Sequence, residues 1–361
     1  MAVDRREERQ SGLRRRLTAE GLDAALITHL PNIRYLTGFT GSAALLLMRA
    51  DDAVLFTDFR YATQAPDEVG ESARVEIDSA STWDRLKRAC AEDADQTVGF
   101  EAHALTVRDA GRLRQAVGCT APMGELVESL RVSKAPEEVA AITAAADLAS
   151  EALAEVLPGV RPGQTELDVA SRLEAALRRR GSEWHPFQTI VASGPRAALP
   201  HAHTTAREIG AGELLLIDFG AQVDGYCSDL TRTVVVGGRA DARQREAYEA
   251  VLAAQLRART EIRAGMTGRE ADALARDVLA ARGMAEAFGH SLGHGLGLEV
   301  HEAPRLSATA EAVLPVGAVV TIEPGFYLPG WGGIRLEDDV LLTPDGPRTL
   351  SDGRTELVEL V

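Results

Sequence analysis

The stretch LLLIDFGAQVDGYCSDLTRTVVV, residues 214–236, decides how the rest of the chain reads. An apolar run ends at Asp218, Asp224-Gly225 supplies a tight turn, and an alternating run leads out to Val236, so the segment reads as a β-hairpin. Side chains alternate faces along a strand. With an even-numbered loop Asp218 and Asp229 therefore point the same way, as direct or diagonal neighbours roughly 5 to 8 Å apart. Two bare carboxylates in one pocket repel, and one takes up a proton unless a cation lies between them. Taken alone, the hairpin leaves two readings open: both acids face solvent, or they form half of a metal site.

A second copy favours the metal site. Residues 161–181, RPGQTELDVASRLEAALRRRG, and 263–283, RAGMTGREADALARDVLAARG, share an Arg-x-Gly-x-Thr opening and a closing Arg-Gly. Each reads as an amphipathic helix with a Thr N-cap (Thr165, Thr267), an acid three residues on (Asp168, Glu270) and a terminal glycine. A strand of one plan follows each, GELLLIDFG at 212–220 and GAVVTIEPG at 317–325, which puts Glu323 where Asp218 stood. The chain then turns through Pro329-Gly330-Trp331-Gly332-Gly333 and returns as IRLEDDVLL, so an odd-numbered loop sets Glu337 opposite Glu323. A pseudo-twofold arrangement of the halves brings four carboxylates to one centre. That is more negative charge than one divalent ion balances in a closed site; two ions bridged by shared carboxylates balance it.

Three further segments carry candidate chemistry. TIVASGPRAALPHAHTT, 189–205, delivers His201 and His203 just upstream of the first hairpin; a loop histidine commonly faces solvent, and His201 is preferred because Pro200 stiffens its approach. In GHSLGHGLGLEVHEAP, 289–304, His290 and His294 have the spacing of two helical zinc ligands, but the four glycines argue against a regular helix. Those glycines let backbone pass close to a ligand, and at least one of His290, His294 and His301 is expected to be a ligand itself. In EPGFYLPGWGGIRLEDD, 323–339, Arg335 shares a strand face with Glu337, where it holds the acid cluster, takes a substrate carboxylate, or forms a plain salt bridge.

At 361 residues the chain is longer than one core usually serves, and an α/β domain over 1–128 followed by a second domain over 129–361 is expected. Strands alternate with helices up to about residue 117, including a helix through TWDRLKRACAED; Lys134-Ala-Pro136 then breaks the pattern and a long Ala-rich helix runs to about Leu157. No apolar run approaches the roughly 18 residues of a membrane span, and the charged opening MAVDRREERQ has no apolar core for a signal peptide, which points to the cytoplasm. Cys90, Cys119 and Cys227 are an odd number at unrelated spacings, read as small core residues rather than disulfides or a zinc knot. A formal charge of −15 disfavours nucleic acid as a partner.

Asp218, Asp229, His294, Glu323 and Glu337, in the runs DFGAQVDGYCSDLTRT, GHGLGLEVHEAP, TIEPG and GIRLEDD, resemble the pita-bread metallopeptidases of the aminopeptidase P and prolidase branch. NIRYLTGFTGS at 32–42 and LFTDFRYATQA at 55–65 are similar to the creatinase-like N-terminal domain of small bacterial Xaa-Pro peptidases, so the resemblance covers nearly the whole chain. It implies that the five residues bind two divalent ions, with Asp229 and Glu337 bridging; the oxygen-rich set suits Mn²⁺, with Co²⁺ or Zn²⁺ as alternatives. It further implies a metal-bridging hydroxide as nucleophile, Glu323 as acid/base, and His201 and His301 on the tetrahedral intermediate. His290, His301, Tyr327 and Arg335 match positions that line a proline pocket.

The expected activity is that of an Xaa-Pro aminopeptidase, an exopeptidase acting on peptides with proline in second place. A prolidase restricted to Xaa-Pro dipeptides is the alternative, and differs only in needing a cation or a wall where a third residue would go. A non-catalytic binding protein or a metal-free creatinase on the same fold would lack metal ligands that are all present here. Methionine aminopeptidase, with a similar ligand set, lacks the N-terminal domain. The resemblance also implies a homodimer, and neither nucleic acid nor membrane is expected as a partner.

Overall fold

The apolar runs of the first third of the chain assemble into one six-stranded sheet: β1 (Ala24–Ile27), β2 (Leu45–Arg49), β3 (Ala53–Asp58), β4 (Arg74–Asp78), β5 (Thr97–Glu101) and β6 (Cys119–Met123), in the order β4-β3-β2-β1-β5-β6. Their inward residues, among them Leu26, Leu47, Val54, Phe56 and Val98, form a core with Leu86 and Leu113 from two flanking helices. The computed structural model describes residues 4–78, 81–91, 95–351 and 356–361.

Several elements depart from expectation. The helix Leu30–Thr37 was not expected; Pro31 lies in its first turn and Gly38, at φ 82°, closes it in the left-handed conformation. The strand β6 was not expected either, because Pro122 interrupts it, but β6 is an edge strand, where a missing N–H is tolerated. Cys119 on that edge is exposed, which corrects its reading as a core residue; Cys90 and Cys227 are buried. The helix expected through TWDRLKRACAED spans Thr82–Ala89, and Glu92 and Asp93 of that run lie outside the described residues. Contacts divide the chain into units Met1–Arg131 and Val132–Val361. The first unit runs past residue 128 because the short helix Glu128–Arg131 is tied back into it: buried Arg131 donates to Asn32 Oδ1 at 2.6 Å.

In the second unit the duplicated pattern becomes duplicated structure. Thr165 and Thr267 cap the helices Glu166–Arg180 and Gly268–Ala281, each closing a capping box with Asp168 or Glu270. The glycine two residues before each cap has a positive φ, 84° at Gly163 and 93° at Gly265. Each of these glycines donates its N–H to the matching downstream loop, Gly163 to Ile209 O at 2.9 Å and Gly265 to Leu314 O at 2.8 Å.

Strands β7 (Ile190–Ser193), β8 (Glu213–Phe219), β9 (Gln222–Val223), β10 (Tyr226–Cys227) and β11 (Leu230–Val236) belong to the first half. The second half holds β12 (Gly293–Gly295), β13 (Glu302–Leu306), β14 (Val319–Ile322), β15 (Gly325–Leu328), β16 (Gly332–Arg335), β17 (Asp338–Thr343), β18 (Gly346–Thr349) and, from the C-terminus, β19 (Glu359–Leu360). They form a four-stranded sheet, β19-β11-β8-β7, and a five-stranded sheet, β13-β12-β14-β17-β18, with the small hairpins β9/β10 and β15/β16 at the loops. Helices Pro136–Val156 and Glu166–Arg180 pack on the first sheet through Ala146, Leu153, Val169 and Leu173. Helices Ala242–Glu261 and Gly268–Ala281 pack on the second through Val251, Ala254, Ala271 and Leu279. Two helices packed on one sheet, repeated in the second half, make the pita-bread fold, preceded in the chain by the mixed α/β N-terminal domain. Among the described residues no helix is long and apolar enough to cross a membrane.

Candidate metal centre

Asp224 and Gly225 take the tight turn of the first hairpin with φ 48° and 75°, the paired positive values that an Asp-Gly turn supplies. Beyond it β8 and β11 pair Asp218 with Thr231, so Asp229, two residues earlier, is the diagonal neighbour of Asp218. In the second half β14 and β17 pair Ile322 with Asp338, and one step further along that register Glu323 stands opposite Glu337. Among the contacts that join the halves, the Glu337 N–H donates to Thr231 O at 3.1 Å, next to the Asp229 N–H that donates to Asp339 Oδ2.

His294 comes from β12, a strand squeezed between β13 and β14. Its glycine neighbours make that possible: a Cβ on Gly293 would lie 2.0 Å from Thr321 O, and one on Gly295 would lie 2.1 Å from Ala303 O. His294 Nδ1 is 3.0 Å from Gly295 O, a carbonyl that can only accept, so the proton is assigned to Nδ1 and the Nε2 lone pair faces the acids. Nε2 lies 3.5 Å from Glu323 Oε1 and 3.7 Å from Asp229 Oδ2. One donor atom each from Asp229, His294 and Glu337 lies within 4.8 Å of the other two.

The remaining candidates surround this group. The His301 ring meets the His294 ring edge-on at 4.4 Å and is open to solvent. His201, also exposed, is close enough for its charge to act on Asp218, His290 and His301. His203 bonds Gln188 at 3.2 Å instead. Arg335 points inward: Nη2 pairs with Asp218 Oδ2, Nη1 donates to Tyr327 Oη at 2.8 Å and to Pro200 O at 3.2 Å, and Nε donates to Thr231 Oγ1 at 3.1 Å. Because Tyr327 accepts from Arg335, its own proton goes to His290 Nε2 at 2.9 Å, and His290 Nδ1 donates to Ser291 O at 2.8 Å. Arg335 therefore holds the acid cluster, and the polar atoms of His290 and Tyr327 are satisfied by neighbours, leaving their ring faces to form a wall.

Burial sets the electrostatics. It raises Asp229 and Glu323 well above the ordinary carboxylate range, with the charge of Glu337 adding to both, and it raises Asp218 despite the opposing Arg335. Burial, with the Asp218 charge, pushes Glu337 up to about 8. Burial lowers His290 and His294 to about 4, so both rings are neutral at pH 7. Asp218 Oδ1, Asp229 Oδ1 and Glu337 Oε1 are sealed from solvent without a hydrogen-bond partner among the described residues. Crowded, unpartnered carboxylate oxygens beside a neutral imidazole lone pair are what a divalent cation satisfies and a proton satisfies poorly, so the residues present fit a metal centre.

A pH dependence follows for the metal-free protein. Glu337 keeps its proton to about pH 8 when folded but loses it near 4.5 when unfolded, so stability falls as pH rises through that window. His290 and His294 act oppositely between about 4 and 6.5, where the unfolded chain binds more protons. The melting temperature of metal-free protein should therefore drop from about pH 6.5 to 8, and added Mn²⁺, replacing the protons, should flatten the drop. A metal-free melting temperature that rises across that interval would contradict this.

Sequence reasoning missed several residues at the centre. Thr231 Oγ1 donates to Glu337 Oε2 at 2.6 Å, and Thr321 Oγ1 accepts the His294 N–H at 3.1 Å. Asp339 Oδ2 accepts the Asp229 N–H at 3.2 Å. Asp338, wholly buried, is held by Arg232 at 2.8 Å and Arg259 at 2.9 Å. Thr231 and Asp339 each lie two residues past a candidate ligand and so share its strand face, which is the signal that could have found them.

The profile of metallopeptidase family M24 matches residues 140–344, and that of the creatinase/prolidase N-terminal domain matches residues 9–133. An Xaa-Pro dipeptidase of Pyrococcus horikoshii is 35% identical over 93% of this chain and 95% of its own length. The solved structure of an Xaa-Pro dipeptidase from Bacillus anthracis superposes with a TM-score of 0.94 at 38% identity, covering 98% of this chain and 100% of that one. An X-Pro aminopeptidase from Thermotoga maritima superposes at 0.89 with 35% identity, covering 97% and 99%. The chain belongs to metallopeptidase family M24, as a pita-bread metallo-exopeptidase with a creatinase/prolidase N-terminal domain.

Proposed function

We propose that the protein cleaves the bond ahead of proline at the N-terminus of very short peptides, with Xaa-Pro dipeptides preferred. The observation that carries the catalytic part is the convergence of Asp229, His294 and Glu337 donors within 4.8 Å, with Glu323 and Asp218 beside them. These five residues would hold two divalent ions, for which Mn²⁺ suits the oxygen-rich set. When bound, such ions lower the pKa of a shared water toward neutrality and polarise a carbonyl. Glu323, raised by burial, is able to hold a proton and hand it to the departing proline nitrogen. His201 and His301, solvent-facing at the rim, would hold the substrate at the scissile carbonyl. The neutral His290 and Tyr327 rings, locked by Arg335, would form one wall of a proline slot. Proline's fixed ring and missing N–H make such a slot selective.

The preference for dipeptides rests on Arg305. It pairs directly with His294 across β12 and β13, so the two side chains leave the sheet on one face. Its charge acts on both His294 and His301, and its side chain has no ion pair or hydrogen bond among the described residues. A free guanidinium beside the centre is the cation that a dipeptide carboxylate needs. The names of the Pyrococcus and Bacillus relatives agree with this refinement of the aminopeptidase expectation, while that of the Thermotoga structure agrees with the expectation itself. The strongly acidic charge supports a peptide substrate over nucleic acid, and a cytoplasmic homodimer completes the reading.

The test compares kcat/KM on Xaa-Pro and Xaa-Pro-Yaa with Mn²⁺-loaded protein. The dipeptide should be the better substrate. Arg305→Ala should lower kcat/KM on the dipeptide by roughly 10- to 100-fold, the value of a hydrogen bond to a charged group, and leave the tripeptide far less affected. Equal rates on the two peptides would restore the aminopeptidase, and no cleavage of either would end the proline reading.

A further inference from the structure

Thr231 stands at the seam between the duplicated halves and is wholly buried. Its Oγ1 lies 3.1 Å from Arg335 Nε and 2.6 Å from Glu337 Oε2. A guanidinium N–H can only donate, so the hydroxyl accepts there, and its single proton goes to Glu337. Thr231 O also accepts the Glu337 N–H at 3.1 Å, so one residue grips both the backbone and the carboxylate of Glu337. The consequence appears at the other oxygen. With Oε2 occupied, Glu337 Oε1 is left buried and unpartnered among the described residues, on an acid whose donor atom lies within 4.8 Å of Asp229 and His294.

The other half holds the backbone of its counterpart from the matching position. Asp339, two residues past Glu337 as Thr231 is two past Asp229, accepts the Asp229 N–H at 3.2 Å. Each half therefore uses the position two beyond its own inner acid to hold the inner acid of the other half.

We propose that Thr231 is a positioning residue: by pinning Glu337 Oε2 it turns Oε1 into a donor toward Asp229 and His294, and so sets the affinity of the centre for a divalent ion. The inference rests on the metal-centre reading above. Arg335 contributes through the hydroxyl it donates to, since a hydrogen-bond chain that starts from a fixed cation polarises each member toward the acid.

The experiment is a Mn²⁺ titration of metal-free full-length protein, with thermal melting as the check on folding. Thr231→Val keeps the shape and removes the hydroxyl; it should weaken Mn²⁺ binding by roughly 10- to 100-fold, the usual result of removing an outer partner of a ligand. Thr231→Ser restores the hydroxyl and should bind Mn²⁺ close to the wild-type level. Turnover of the valine variant should recover substantially at saturating Mn²⁺. Unchanged affinity in Thr231→Val, or a loss in Thr231→Ser as large as in Thr231→Val, overturns the proposal. If the valine variant does not fold, Thr231→Cys, whose thiol is too weak a donor to replace the hydroxyl, is judged by the same two outcomes. Wild-type protein that takes up no Mn²⁺ would instead remove the metal-centre reading, a distinguishable failure.

Discussion

Glu337→Ala should lose bound metal and turnover together. Glu337 reaches the centre from the second hairpin, is 1% exposed, has an unpartnered Oε1, and offers one carboxylate oxygen within 4.8 Å of donors from Asp229 and His294. Truncation removes a donor that is shared between the halves, so the loss of Mn²⁺ affinity should exceed the roughly 10- to 100-fold expected when an outer partner such as Thr231 is removed. Metal content after dialysis and kcat/KM measured on the same preparation decide the matter. A second readout separates this from simple misfolding: with one of the buried acids that hold protons in the folded state gone, the metal-free variant should still melt cooperatively but show a smaller fall in melting temperature between about pH 6.5 and 8 than the wild type. An active Glu337→Ala enzyme that keeps both ions would show that the two hairpins do not share a centre.

That prediction depends on a contact no local pattern contains. The Asp218–Asp229 relation was legible because it is written within one hairpin: Asp224-Gly225 names the turn, and period-two alternation names the face. The equivalence of Asp218 with Glu323 was legible because the capped helices before them repeat down to their glycines, and the structure gives Gly163 and Gly265 the same left-handed backbone, φ 84° and 93°. The bridge from Thr231 to Glu337 spans the two halves, and nothing within either half specifies it. Arg335 shows the same limit: a shared strand face with Glu337 was readable, but its partners Asp218, Pro200, Tyr327 and Thr231 are distant in sequence, so holding the acids or a substrate carboxylate stood level with a plain salt bridge.

The N-terminal unit failed for a different reason. The helix Leu30–Thr37 is two turns long, too short for an amphipathic period to register, and is defined by its ends, Pro31 and Gly38. The strand Cys119–Met123 carries a proline that would be disruptive anywhere but at an edge, and edge position is a property of the sheet. Cys119 was misread with it, since a residue on an uncovered edge has no core to enter. Arg305 was passed over because its meaning comes from standing opposite His294, a pairing made through the glycine-rich β12 whose backbone approach no propensity scale anticipates.

His201→Ala should leave folding and metal content intact while lowering kcat by roughly 10²- to 10⁴-fold, the range for a positioned acid/base or polar catalytic group. That corresponds to about 3 to 5 kcal/mol in the barrier. The separation of the two effects comes from where His201 sits. Its side chain is exposed, so truncation creates no cavity, and surface substitutions of that kind usually change stability by no more than about 0.5 kcal/mol. Its backbone is held by other groups: Arg335 Nη1 donates to Pro200 O at 3.2 Å, and buried Glu166 accepts the N–H of Ser193 at 2.9 Å and of Thr205 at 3.1 Å, fixing both ends of the loop. The loop therefore keeps its course when the imidazole goes. The ring is exposed and close enough for its charge to act on Asp218, His290 and His301, and under the proposed function it meets the scissile carbonyl there. His203, two residues on and turned to Gln188, is the internal control: His203→Ala should leave kcat near wild type. Near-normal turnover in His201→Ala, or equal losses in the two variants, would remove His201 from the catalytic group and leave the loop a structural role only.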